Sequence, residues 1–74
     1  MSATQVPLGG KARIVSIHLD AQERRRLMDL GFCNGAVIER ILDAPLGLTY
    51  AFRIRGTVIA LRSNQTDGIE VEPC

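Results

Sequence analysis

The segment from Asp20 to Gly31 carries both a start and a stop signal for a helix. Glu23 follows Asp20 at the spacing of a capping box, in which Asp accepts from a first-turn N–H and Glu reaches back toward the cap. A helix of about three turns is expected from Ala21. It runs through Gln-Glu-Arg-Arg-Arg-Leu-Met-Asp-Leu and meets Gly31, the residue type that most easily takes the left-handed conformation ending a helix. On either side the chain is broken into short β-prone runs, which makes the fold class mainly β.

Ala12 to Ile17 is short and rich in β-branched residues, and reads as the first strand. After the helix, Phe32-Cys33-Asn34-Gly35 marks a turn, and Ala36 to Leu42 reads as a second strand. Asp43 to Gly47 is a loop. Thr49 to Arg55 alternates, with Tyr50, Phe52 and Ile54 on one side and Ala51, Arg53 and Arg55 on the other. Arg55-Gly56 then connects tightly to Thr57–Arg62, a hairpin expected to supply most of the aliphatic core. Ser63 to Gly68 is polar, with room for a single helical turn, and Ile69 to Glu72 is a last strand with Ile69 and Val71 inward. Met1 to Gly10 shows no periodicity and is expected to be a loose arm.

With 74 residues the chain buries one core, so residues 1–74 are expected to form a single domain. About five short strands, with one helix between the first and the second, close most naturally into a small barrel. Aromatic residues make up 4% of the chain, which leaves the core to Val, Ile and Leu. Nine Lys and Arg against eight Asp and Glu leave a formal charge of +1, which supplies no global field for nucleic acid or anionic lipid. The longest apolar run noted, Val58-Ile59-Ala60-Leu61, is far short of the roughly 20 residues that span a bilayer. No apolar stretch of signal-peptide length lies in Met1–Gly10, and Cys33 and Cys74 have no paired spacing. A cytoplasmic location with reduced thiols is the expectation.

An ordered string from Pro7 to Val71 goes further than composition. It comprises Pro7-Leu8, Arg26-Leu27-Met28-Asp29-Leu30-Gly31-Phe32 with Gly35, Ala44-Pro45-Leu46-Gly47, Ile54 to Arg62, and Ile69-Glu70-Val71. In order and spacing it resembles the FeoA family. The chain departs from the family pattern at Asn34-Gly35, where Pro-Gly is frequent, and at Thr66, where a small apolar residue is usual. The resemblance implies an SH3-like barrel that works beside FeoB, a membrane permease for Fe(II) with a cytosolic GTP-binding domain. It implies an accessory and regulatory role in ferrous iron transport, exerted by protein–protein docking. The same barrel ends iron-dependent repressors of the diphtheria-toxin-repressor type, which need a winged helix upstream.

Several residues have both a contact reading and a plain one. The run Arg24-Arg25-Arg26 is either a solvated helix face or a contact for an acidic partner, with Arg25 and Arg26 the better candidates. Leu27 and Leu30 share a helix face that a small barrel would bury, yet the groove beside them is a reasonable docking site. Pro45, Leu46 and Leu48 either fold back over one end of the barrel or form an exposed apolar patch.

His18, Cys33 and Cys74 are the candidate metal ligands, but their spacing matches no metal motif, and no cofactor is expected. A single His without a nucleophile motif, and no phosphate-cradling glycine loop, argue against an enzyme. One alternative is a nucleic-acid-binding barrel using Arg53, Arg55 and Arg62 with Tyr50, Phe32 and Phe52 as stacking rings, unless Glu70 and Glu72 neutralise those arginines. Another is an Fe(II)-responsive regulator. Unpaired strand edges also allow a weak homodimer.

Overall fold

The computed structural model describes residues 1–43 and 49–74. It contains strands β1 (Lys11–Ile17), β2 (Val37–Asp43), β3 (Thr49–Ile54), β4 (Thr57–Arg62) and β5 (Ile69–Pro73), with helix α1 (Ala21–Asp29) after β1 and a short α2 (Ser63–Thr66) after β4. The strands form one antiparallel sheet in the order β4-β3-β2-β1-β5.

Two register shifts re-aim side chains within the sheet. In β1, Ala12 and Ile14 point inward, and the irregularity between Ile14 and Ser16 lets Ile17 face inward as well. In β2, the shift between Arg40 and Leu42 leaves Leu42 exposed while Ile38 is fully buried. The β3–β4 hairpin turns at Arg55-Gly56, where both residues have positive φ, 51° and 79°. That conformation suits the right-handed twist of the flanking strands.

The hairpin does not supply most of the core. Phe52, Ile54 and Leu61 are buried, but Ile59 is only partly covered and Val58 is exposed. Ala12, Ile14, Ile17, Leu27, Phe32, Ile38, Ile69 and Val71 complete the interior together with Ala3 and Val6.

Those last two overturn the expectation of a loose arm. Ala3–Gln5 is a turn of 3₁₀ helix, and both Ala3 and Val6 are fully buried. The Arg40 guanidinium donates to the carbonyls of Thr4, at 3.2 Å, and Val6, and lies 4.6 Å from the centroid of the Tyr50 ring. Gly9 and Gly10 also pair with Arg40 through the backbone, at 2.7 and 2.9 Å. Thr66, the departure from the family's apolar residue, is fully buried, and its hydroxyl lies 2.7 Å from that of Thr4 and 3.2 Å from the Ser63 carbonyl. A polar atom there is tolerated because both of these partners are present.

A Val6→Ala substitution should therefore lower the unfolding free energy by about 2 kcal/mol in a denaturant titration. A loose arm would leave it within about 0.5 kcal/mol.

Candidate docking surface

Helix α1 is started by the Asp20 carboxylate, which accepts from the Glu23 N–H at 2.8 Å. Glu23 does not return to the cap as the box spacing suggested. Its carboxylate accepts from the Gln65 side-chain amide and lies 3.7 Å from Arg26. Gln65 in turn accepts from the Arg62 N–H at 2.9 Å, so the first turn of α1 is tied to α2.

The end of α1 is fixed more firmly. Gly31, with φ at 107°, donates to the Met28 carbonyl at 3.0 Å, and the Phe32 N–H donates to the Leu27 carbonyl at 2.9 Å. These two bonds make a Schellman motif, and its apolar pair is Leu27 and Phe32, both at 0% exposure. Leu27 is thus a core residue and not a contact residue, although the sequence placed it with Leu30 on one face. Leu30 follows the helix as its C-cap and is 45% exposed, and Met28 is 51% exposed.

Arg25 and Arg26 are both exposed. Arg26 has the Glu23 ion pair, whereas the Arg25 side chain has no ion pair or hydrogen bond among the described residues. Together with Ala21, Gln22 and Asp29 they line one shallow depression. A second groove, between α1 and β1, is lined by Ser16, Ile17, Arg24, Met28, Cys33 and Asn34. The sequence reading missed Met28, whose place in the helical run gave no sign that only one apolar residue would be buried. Pro45, Leu46 and Leu48 lie outside the described residues.

The proposed metal ligands sit apart in function. His18 Nε2 is 2.8 Å from the Ser16 hydroxyl, Cys33 Sγ accepts from Arg55 at 3.8 Å, and Cys74 is exposed after β5. Among the described residues no three His, Cys, Asp or Glu side chains form a metal-holding group.

Among the described residues, Arg53, Arg55 and Arg62 make no contact with the aromatic rings; the one arginine over a ring is Arg40. Phe32 and Phe52 are fully buried and offer no stacking face, and Tyr50 packs under Arg40. Arg53 lies 3.2 Å from Glu39, and Glu72 lies 3.9 Å from Arg13. Cross-strand pairing of Glu70 and Glu72 with Arg53, Arg55 and Arg62 does not form, because β5 pairs with β1 and with neither β3 nor β4. No helix among the described residues is long and apolar enough to cross a membrane.

A five-stranded antiparallel sheet with one main helix, curled around an apolar core that includes Phe32 and Phe52, defines a small SH3-like barrel. The FeoA domain model matches residues 1–73, and the chain belongs to the FeoA family, which is associated with iron transport. It is similar to the FeoA protein of Chlorobium tepidum, with 33% identity and a TM-score of 0.94, covering 99% of this chain and 70% of that one. The FeoA-like protein of Clostridium acetobutylicum is 30% identical, with a TM-score of 0.88 over 99% of this chain and 85% of that one.

A zinc complex of FeoA from Stenotrophomonas maltophilia, described as a prokaryotic SH3 domain protein possibly acting as a ferrous iron transport activating factor, is 28% identical with a TM-score of 0.84. It is matched over 97% of this chain and 89% of that one. A manganese-dependent transcriptional repressor shares the fold alone, with a TM-score of 0.91 at 16% identity. No curated protein matches the chain significantly.

The helix anchor separates two leucines that are three residues apart in sequence. Leu27→Ala should cost about 3 kcal/mol of stability, and Leu30→Ala should change it by no more than about 0.5 kcal/mol. Thermal and denaturant unfolding of both variants checks this.

Proposed function

We propose that this protein is an accessory and regulatory component of ferrous iron uptake that acts by docking to the cytosolic side of a FeoB-type permease. Family membership supports the transport setting. The observation that supports docking is that two apolar side chains, Met28 on α1 and Leu30 at its C-cap, are half-exposed beside a helix that also exposes Arg24, Arg25 and Arg26 and is anchored by Leu27.

Such a surface has the parts of a protein contact. Apolar side chains supply area removed from water, and arginines set orientation and encounter rate with an acidic partner. The docking surface comprises Arg25, Arg26 and Leu30 from the sequence reading, extended by Met28 and the groove at Cys33. The working location is the cytoplasm, and the role needs no catalytic group of its own.

The test is calorimetric titration of the protein into the cytosolic domain of its permease, with a GTP analogue, with GDP and without nucleotide. Saturable binding is expected, weakened at least about tenfold in an Arg25→Glu/Arg26→Glu variant that keeps its circular dichroism spectrum. Equal affinity of that variant would remove the helix from the contact, and no binding under any nucleotide condition would remove the cytosolic domain as the partner.

A further inference from the structure

The sheet order leaves two edge strands, β5 and β4, and among the described residues only β5 is paired along its outer side. Along β5, Ser2 bridges Glu70, the Val71 N–H donates to the Met1 carbonyl at 2.7 Å, and the Met1 ammonium donates to the Val71 carbonyl at 3.1 Å. The N-terminal arm thus occupies both outward hydrogen-bonding groups of Val71, at the middle of that strand.

Among the described residues the β4 edge has no such cover. The two-residue turn at Arg55-Gly56 makes Ile54 and Thr57 the pair that exchanges both ladder hydrogen bonds. Alternation from there turns the N–H and C=O groups of Val58 and Ala60 away from β3. Among the described residues none of these outward groups has a partner. Val58 is 54% exposed, and Thr57 and Ala60 are exposed with it. Arg62, the next outward residue, is already committed, since its N–H donates to Gln65 at 2.9 Å as the start of α2.

Edges that avoid pairing usually carry a charge, a proline or a bulge. Thr57 to Leu61 has none of these. The nearest charge on the adjacent strand, Arg53 opposite Val58, is neutralised by Glu39 at 3.2 Å.

We propose that the β4 edge pairs with the β4 edge of a second copy of this chain, antiparallel, about a two-fold axis at Ile59. Val58 then lies opposite Ala60 of the second copy, and Ala60 opposite its Val58. These two pairs use every free outward group and form about four hydrogen bonds between the copies. Ile59 meets Ile59 of the second copy on the inner face, adding apolar contact where each is now only partly covered. Arg62 falls opposite Gly56, so no like charges are opposed. Because the register is two-fold symmetric, one short sequence satisfies both sides of an isologous contact.

A seam of about five residues per strand buries less than the ~1,200 Å² of a stable interface, so the dimer is weak and reversible. This contact is remote in sequence from α1 and stands independently of any docking there.

The test follows sedimentation and amide hydrogen exchange of the full chain from micromolar to millimolar concentration. The expected result is a shift from monomer toward dimer, with protection growing at the Val58 and Ala60 amides. Val58→Lys, at an exposed position, should weaken dimerisation at least about tenfold, and Ala60→Pro, which removes an outward donor, should do the same. A monomer at millimolar concentration with both amides unprotected would overturn the proposal. So would a dimer that persists unchanged in both folded variants.

Discussion

The reversal of the chain at Gly31 sets what the protein hides and what it displays. The two Schellman hydrogen bonds tie Gly31 and Phe32 back to the last turn of α1, and their apolar pair, Leu27 and Phe32, sits in the core. With nine residues and one buried side chain, α1 has little other apolar attachment to the barrel. Its rotation about its own axis is therefore governed by Leu27. Met28 and Leu30 turn outward as a consequence, among arginines that an unanchored helix would not hold in place.

The N-terminal segment closes the other side of the structure. Ala3 and Val6 fill the interior, Arg40 grips two carbonyls of the segment, and Thr4 joins Thr66 to the Asp67 carboxylate, which accepts from Thr4 at 2.6 Å. The one buried polar residue among them, Thr66, is satisfied, and no buried side-chain nitrogen or oxygen among the described residues lacks a partner. The segment also pairs with β5 at Val71, so the same few residues complete the core and protect the middle of that edge.

Much of this was legible in local sequence. The five strands and α1 follow from β-branched runs, from Asp20 and Gly31, and from the alternation around Phe52 and Ile54, because these are short-range signals. The packed N-terminal arm was not legible. Ala3 and Val6 are isolated apolar residues in a polar stretch, and the partners that hold them, Arg40, Thr66 and Glu70, are remote in sequence. Of the proposed docking surface, the sequence shows Arg25 and Arg26 as charge, but helical spacing alone could not separate buried Leu27 from exposed Leu30. That separation depends on the C-cap geometry, which takes Leu30 out of the helix. The bulges in β1 and β2 also escaped, since each breaks the two-residue period on which strand reading rests.

An anchored helix that exposes apolar side chains among arginines is suited to protein recognition, and the family is associated with iron transport. Amide chemical-shift mapping of the labelled protein, as the cytosolic domain of its permease is added, examines this account most directly. The account predicts perturbations concentrated at Arg24, Arg25, Arg26, Met28, Leu30 and Cys33, with the outer face of the sheet unchanged. Perturbations confined to the sheet, or a spectrum that stays unchanged at saturating partner, would contradict it.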